Sequence, residues 1–315
     1  MAKILVVGSL GFDLIFGVHG DIKKEIPLRD GQINNINLMF TAKEKQQYFG
    51  GTAGNIAYGL GLLEEHPKVY SVVGKDFDDD YQGHLERLGI DLKVIKKPEE
   101  FTAVFYGISD EAKQQIGIWQ PNAYGKWIDE AKLVDSLTVA EIQEVEVAIF
   151  SPGTGVSTLR QMQEFRSLNA SALVVFDPSQ VLSIFYDKER LLECLDLANL
   201  FIGNETEVAQ LKSVFGLSVA DLLDLGIEAV IETQGADGSV IHTELGVEKV
   251  EPVKVDKFVE ATGAGDSFRS GLLWGLANGK SLADACRAGA YLGACNVGEF
   301  GGQLYKIDKT NPALS

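Results

Sequence analysis

Residues 260–279, EATGAGDSFRSGLLWGLANG, set two glycines and an aspartate directly in front of an apolar helix pattern. The first N–H groups of a helix have no partner within it. A start built from Thr262, Gly263, Ala264 and Gly265 leaves backbone amides open to a group outside the chain, and an anion suits them. Asp266 complicates this, because a carboxylate near a helix start can simply stabilise the helix. An anion site and an ordinary capping turn both fit this stretch taken alone.

The other strand ends have to decide between the two. The chain has 315 residues, 45% of them hydrophobic, enough for one large α/β domain with a sizeable core. Against 45 Asp+Glu stand 28 Lys+Arg, a net charge of -17 that repels polyanions and argues against nucleic-acid and membrane partners. The start MAKILVVGSLGFD reads as a first strand, and no apolar stretch approaches membrane-spanning length. Cys194, Cys286 and Cys295 show neither Cys-x-x-Cys nor a Cys/His metal spacing, as expected of reduced thiols in the cytoplasm. His19, His66, His84 and His242 are too scattered in sequence to suggest a metal cluster or a local triad.

Short apolar runs recur as KILVVGS, VYSVVG, VAIFSP, ALVVFDPS, LFIGNETE and EAVIETQG, most of them separated by helix-length segments. That alternation predicts βαβ units and a doubly wound, mostly parallel sheet flanked by helices, with binding groups at the strand ends. Two regions, about 14–48 and about 98–125, break the rhythm with strand-like stretches around turns. In the second, FTAVFYGIS and QQIGIWQ flank DEAK as a hairpin would. They predict a small outlying β lid on a single domain spanning 1–315, with an ordinary edge hairpin or dimer contact as the alternative. No internal repeat or interdomain linker is evident.

Several motifs carry two readings each. VVGSLGFD lacks the G-x-G-x-x-G of a dinucleotide site, and WGLANGKS fails as a Walker A loop because Trp274 stands where a glycine is needed. FGGTAGN places Gly50 and Gly51 before a helix starting near Thr52, with Asn55 in its first turn. Bare backbone and an amide there suit a polar ligand, or simply a tight turn. Asp13 can accept from paired hydroxyls or serve a turn. Asn204 and Glu207, at spacing i, i+3, can hold magnesium beside phosphate oxygens or form a capping box. Thr233, Gly235 and Gly238 make a glycine hairpin or a surface for phosphates and a base. Asp78, Asp79 and Asp80 read as a solvated helix start.

The order of these motifs is more telling than any one of them. An Asp after the first strand, then GG-x-x-x-N, N-x-x-E, T-x-G-x-x-G and finally ATGAGDSF resembles the ribokinase-like (PfkB) family of sugar and nucleoside kinases, from about residue 3 to about 303. The resemblance implies that the amides of Gly263, Ala264 and Gly265 form an anion hole for the transferring phosphoryl group and that Asp266 is the general base. It implies an ATP side made by Asn204, Thr233, Gly235, Gly238 and Thr262, with Glu207 acting on Mg2+ through water. Asp13, Gly50, Gly51 and Asn55 would hold the acceptor, a small-molecule nucleoside or sugar. The aromatic and aliphatic lid residues Phe105, Ile118 and Trp119 would cover a base, or form the hairpin's own small core.

Thr52 stands where members acting on ribose or phosphosugars often carry a lysine. With DPSQ at 177–180 and GDSFRSGLLWGL, this looks closer to adenosine-kinase-like and broad nucleoside kinase members. Glu260 stands where the family usually has an Asp that helps hold a monovalent cation, so dependence on K+ is an open expectation. Retention of Asp266 and its flanking glycines argues against a binding-only relative. The oligomeric state stays open between monomer and homodimer.

Overall fold

Val147–Phe150 and Lys68–Gly74 are buried at every position, the pattern of strands covered by helices on both faces. The computed structural model describes residues 3–26, 28–29, 32–33, 38–78, 80–111, 114–255 and 257–315. Its strands are β1 (Ile4–Val7), β2 (Gly11–Val18), β3 (Leu28–Arg29), β4 (Gln32–Ile33), β5 (Ala42–Gly50), β6 (Lys68–Gly74), β7 (Asp91–Lys97) and β8 (Ala103–Ser109). They continue as β9 (Gln115–Gln120), β10 (Val147–Phe150), β11 (Leu173–Phe176), β12 (Leu200–Asn204), β13 (Ala229–Thr233), β14 (Ser239–Thr243) and β15 (Gly246–Val250).

The central sheet runs β15-β14-β13-β12-β11-β10-β1-β6-β7. From β13 through β7 every pair is parallel, and only the β13–β14 and β14–β15 pairs are antiparallel. This is the expected doubly wound α/β sheet. The chain lays β6 and β7 on one side of β1 and then crosses to β10 on the other, so the strand order reverses at β1. Such a reversal opens a crevice beyond the carboxyl ends of the strands.

Alternate strand residues feed two cores. Leu5, Val7, Phe150 and Phe176 pack with Met162, Phe165 and Leu195 on one face, while Ile4, Val6, Ile149 and Val175 pack with Ile56, Leu272 and Leu273 on the other. On the second face the helices Ala264–Ala277 and Leu282–Asn296 nearly touch. A Cβ on Gly271 would lie 2.5 Å from the Ala288 backbone, so glycine is what permits that approach. Among the described residues no helix is long and apolar enough to cross a membrane.

A second sheet, β5-β2-β8-β9, grows out of the strand ends. β2 pairs parallel with β8 and antiparallel with β5, and β8 pairs antiparallel with β9. Its strands reach beyond the stretches read from sequence, since β2 starts at Gly11 and β5 ends at Gly50. The expectations for residues 27, 30, 31, 34–37, 79, 112 and 113, including part of the DEAK turn, lie outside the described residues.

Candidate active site

The crevice holds a cleft of about 880 Å3 between the central sheet's strand ends and the second sheet. Ser9 follows β1, Gly153 follows β10, Gln180 follows β11, Glu207 follows β12 and Gly235 follows β13. All five line the cleft.

At its floor the helix Ala264–Ala277 begins. Gly263 caps it with φ 78, a left-handed conformation that favours glycine, and a Cβ there would sit 2.6 Å from Gly302 Cα. The Ala264 N–H is closed onto Ala261 O at 3.1 Å. The amides left at the open end are therefore those of Gly263, Gly265 and Asp266, and all three residues line the cleft with Thr262. Ala264 does not, which corrects the expectation that the amides of Gly263, Ala264 and Gly265 all face an anion in this state.

Asp266 Oδ2 accepts from Asn55 Nδ2 at 2.8 Å. Burial pushes the Asp266 carboxyl up to about 6, with Arg269 and the Asn55 hydrogen bond pulling the other way. Arg269, one turn further along the helix, was missed as a site residue in sequence although GDSFR contains it. Its guanidinium pairs with both carboxylate oxygens of Asp177, Nη2 to Oδ1 at 2.6 Å, and Nη1 donates to Gly265 O at 3.0 Å. Burial opposes charge on both partners, but the bidentate contact with a guanidinium that does not lose its proton keeps the pair ionic.

Asn204 and Glu207 make the capping box. Asn204 Oδ1 accepts Glu207 N at 2.9 Å, and Glu207 Oε2 accepts Asn204 N at 2.8 Å. Both also line the cleft, so forming the cap does not withdraw the pair from it. Burial raises the Glu207 carboxyl, against the pull of Arg269. Thr233 and Gly235 line the same wall. Gly238 does not: its φ of 92 turns the chain against β15, where a Cβ would lie 2.2 Å from Val250 O. Gly238 is a turn residue here.

Asp13 sits inside β2, opposite Tyr48 and Phe105, which removes the turn alternative and leaves its carboxylate on the cleft. Burial first, and then the negative charges of Asp266 and Glu260, together lift its carboxyl to about 7. Gly50 lies behind it and is absent from the cleft lining, though a Cβ there would meet Asp13 Oδ2 at 2.5 Å. Gly51, with φ 82, caps the helix Thr52–Leu62 and lines the cleft with Asn55.

Over them stand Phe12, Phe105, Gln115, Gly117 and Trp119 of the second sheet. Strand alternation puts Ile118 on the opposite face from Gly117 and Trp119, and it is 62% exposed, so the structure removes it from the cleft. Ile184 and Phe185, from a loop helix that sequence did not single out, complete the apolar wall. Glu260 Oε1 accepts the Gly301 N–H, tying the segment before the glycine turn to the loop after the last long helix.

A profile described as pfkB family carbohydrate kinase matches residues 1–309. The chain is 28% identical to the nucleoside kinase of Methanocaldococcus jannaschii over 286 residues, 90% of this chain and 86% of that one. The crystal structure of that archaeal enzyme superposes with a TM-score of 0.84 at 27% identity, covering 97% of this chain and 95% of that one. The Burkholderia thailandensis nucleoside kinase in complex with inosine gives a TM-score of 0.80 at 26% identity, covering 96% and 93%; its ADP-inosine complex gives 0.79. Ribokinase of Lactococcus lactis is 26% identical over 306 residues, 96% of this chain and 93% of that one.

Proposed function

Because this chain belongs to the pfkB family of carbohydrate kinases, phosphotransferases with an alcohol group as acceptor, we propose that it moves the terminal phosphoryl group of ATP to the hydroxymethyl group of an adenosine-like nucleoside. The observation that carries the reading is a half-buried carboxylate, Asp266, beside the open amides of Gly263 and Gly265 in a cleft with an aromatic upper wall.

In the reaction the hydroxyl oxygen attacks the γ-phosphorus, its proton passes to Asp266, and ADP leaves. Phosphoryl transfer asks a protein mainly for alignment and charge stabilisation. Asp266 supplies the proton acceptor and is ionised above about pH 6, as a base at neutral pH must be. Gly263 and Gly265 supply two N–H donors at the positive end of a 14-residue helix.

The nucleotide side fits a phosphate chain through its backbone. A Cβ on Gly235 would meet nothing within 4 Å, and its φ of 54 presents the main chain to the cleft. For magnesium, Glu207 is the fitting carboxylate: Oε2 is engaged in the cap, and Oε1 would be the oxygen free to act on the ion through water. No group of three His, Cys, Asp or Glu gathers among the described residues, so the phosphates themselves would complete the coordination. Bound there, the ion would neutralise charge on the phosphate oxygens.

The acceptor side favours a neutral, partly apolar molecule. Among the described residues lining the cleft Arg269 is the only cation, and it is committed to Asp177. A substrate phosphate would find no free positive side chain, whereas Phe105, Trp119 and Phe12 offer surface for a base. Asp13 and Asn55 would take the ribose hydroxyls. The second sheet, on this reading, is a lid that excludes water. The similarity to a ribokinase keeps a free sugar as the second reading.

The test is ADP release from MgATP with inosine, adenosine, ribose and fructose 6-phosphate, with Asp266→Asn in parallel. Turnover with a nucleoside and a loss of about 10²–10⁴-fold in the variant are expected. Turnover with sugars alone would overturn the acceptor, and wild-type turnover in Asp266→Asn would overturn the base.

A further inference from the structure

A line of hydrogen bonds runs from a backbone carbonyl to Asp266, and each member dictates the orientation of the next. Gly50 O can only accept, and Tyr81 Oη donates to it at 2.6 Å. A phenol has a single proton, so Tyr81 Oη meets Gln303 as an acceptor and takes Nε2–H at 2.7 Å. Gln303 must therefore present its nitrogen inward, and Nε2 also donates to Asn55 Oδ1 at 3.1 Å. With its oxygen so engaged, Asn55 turns its nitrogen to Asp266 Oδ2 at 2.8 Å. The two ends of a side-chain amide have nearly the same shape, so shape alone would allow either orientation; the carbonyl at the far end selects one. Tyr81, Gln303 and Asn55 are all buried.

We propose that Tyr81 and Gln303 are positioning residues for phosphoryl transfer: they fix the polarity of the Asn55 amide, so that Asp266 is met by a donor on Oδ2 and keeps Oδ1 as an acceptor for the substrate hydroxyl. This rests on Asp266 being the base. The reversed amide would set Asn55 Oδ1 against a carboxylate oxygen, two acceptors face to face, an arrangement tolerated only when Asp266 is protonated. His84 neighbours Gln303, and burial lowers its pKa against the pull of that contact, so the neutral imidazole brings no positive charge into the line from that side. The other charged groups acting on Asp266 are Arg269 on its own helix, Asp177 after β11, Glu207 after β12 and Asp13 on β2. None is altered by changing Tyr81 or Gln303.

The test compares wild type with Tyr81→Phe, which keeps the ring packed against Phe12, Phe49 and Phe77, and with Gln303→Met, which removes both donated protons at similar length. Protein labelled at the aspartate carboxyl carbons is titrated by NMR without ligand, the Asp266 signal being assigned by its loss in Asp266→Asn. The pH dependence of kcat/KM with inosine and MgATP is measured on the same samples. In both variants the Asp266 midpoint should rise by about one pH unit, with the acidic limb of kcat/KM moving up alongside it. A merely structural role would lower Tm and leave both unmoved, and an unmoved midpoint in whichever variants fold would overturn the proposal. Full activity of Asp266→Asn would instead remove the base reading, while the NMR midpoint would still report whether the line orients Asn55.

Discussion

Replacing Asp177 by asparagine removes one charge from a pair whose side chains are 0% and 6% exposed, while keeping the size of the residue. The Arg269 guanidinium then stays buried with no counter-charge among its hydrogen-bond partners. Breaking a buried ion pair from one side costs about 3–5 kcal/mol, and solvent does little to screen a site this closed. At about 2.1 cal/mol/K per residue, a chain of this length unfolds with an entropy of about 0.7 kcal/mol/K near its midpoint. The expected fall in Tm is therefore about 5–8 °C, read by calorimetry and matched by a lower midpoint in urea. The double variant Asp177→Leu/Arg269→Met removes both charges and should recover most of that loss, because the penalty lies in the orphaned charge. A fall of less than about 1 °C in the single variant would refute the claim that this pair is dry and mutually dependent.

Other outcomes follow from the same geometry. Asp13 and Asp266 have folded-state pKa values raised to about 7 and about 6, so the folded protein binds more protons than the unfolded chain between about pH 4 and 7 and loses stability as pH rises through that window. Asp13→Asn should melt above wild type at pH 8, with the difference closing toward pH 4; an equal Tm at both pH values would contradict the burial of this carboxylate. Gly263→Ala puts a Cβ 2.6 Å from Gly302 Cα on a left-handed backbone, so stability should drop by at least about 1–2 kcal/mol and kcat should fall more than KM rises; unchanged steady-state kinetics would count against these amides as phosphoryl ligands. Glu260 already bonds Gly301 N, so turnover should be equal in KCl and in tetramethylammonium chloride, and strong activation by K+ would show that an ion is needed there as well.

Sequence order exposed the architecture because each buried strand is a short apolar run ending in a polar or glycine cluster, and those clusters meet at the carboxyl ends of one sheet. The residues that escaped it owe their place to side-chain direction or to contacts distant in sequence. Ile118 and Trp119 are neighbours in the chain, and only strand register decides which of them faces the cleft. Gly238 shares a motif with Gly235, yet it turns away under β15. Arg269 is visible in GDSFRSG, but its partner stands 92 residues earlier, and Gln303 reaches Asn55 across 248 residues. Local pattern carries no trace of such pairings until the chain is folded.

The open helix start at Gly263 and Gly265 has a consequence for how such a protein can change. Main-chain N–H groups survive every substitution except proline, whereas Asp13, Phe105, Gln115 and Trp119 are side chains on a sheet that stands apart from the helix floor. On the proposed reading, the half of the cleft that handles phosphate is written in backbone and the half that chooses the acceptor is written in side chains. Drift on the second sheet can therefore retune the acceptor while the transfer step is left intact, and a library confined to those four positions is where new acceptors would be sought.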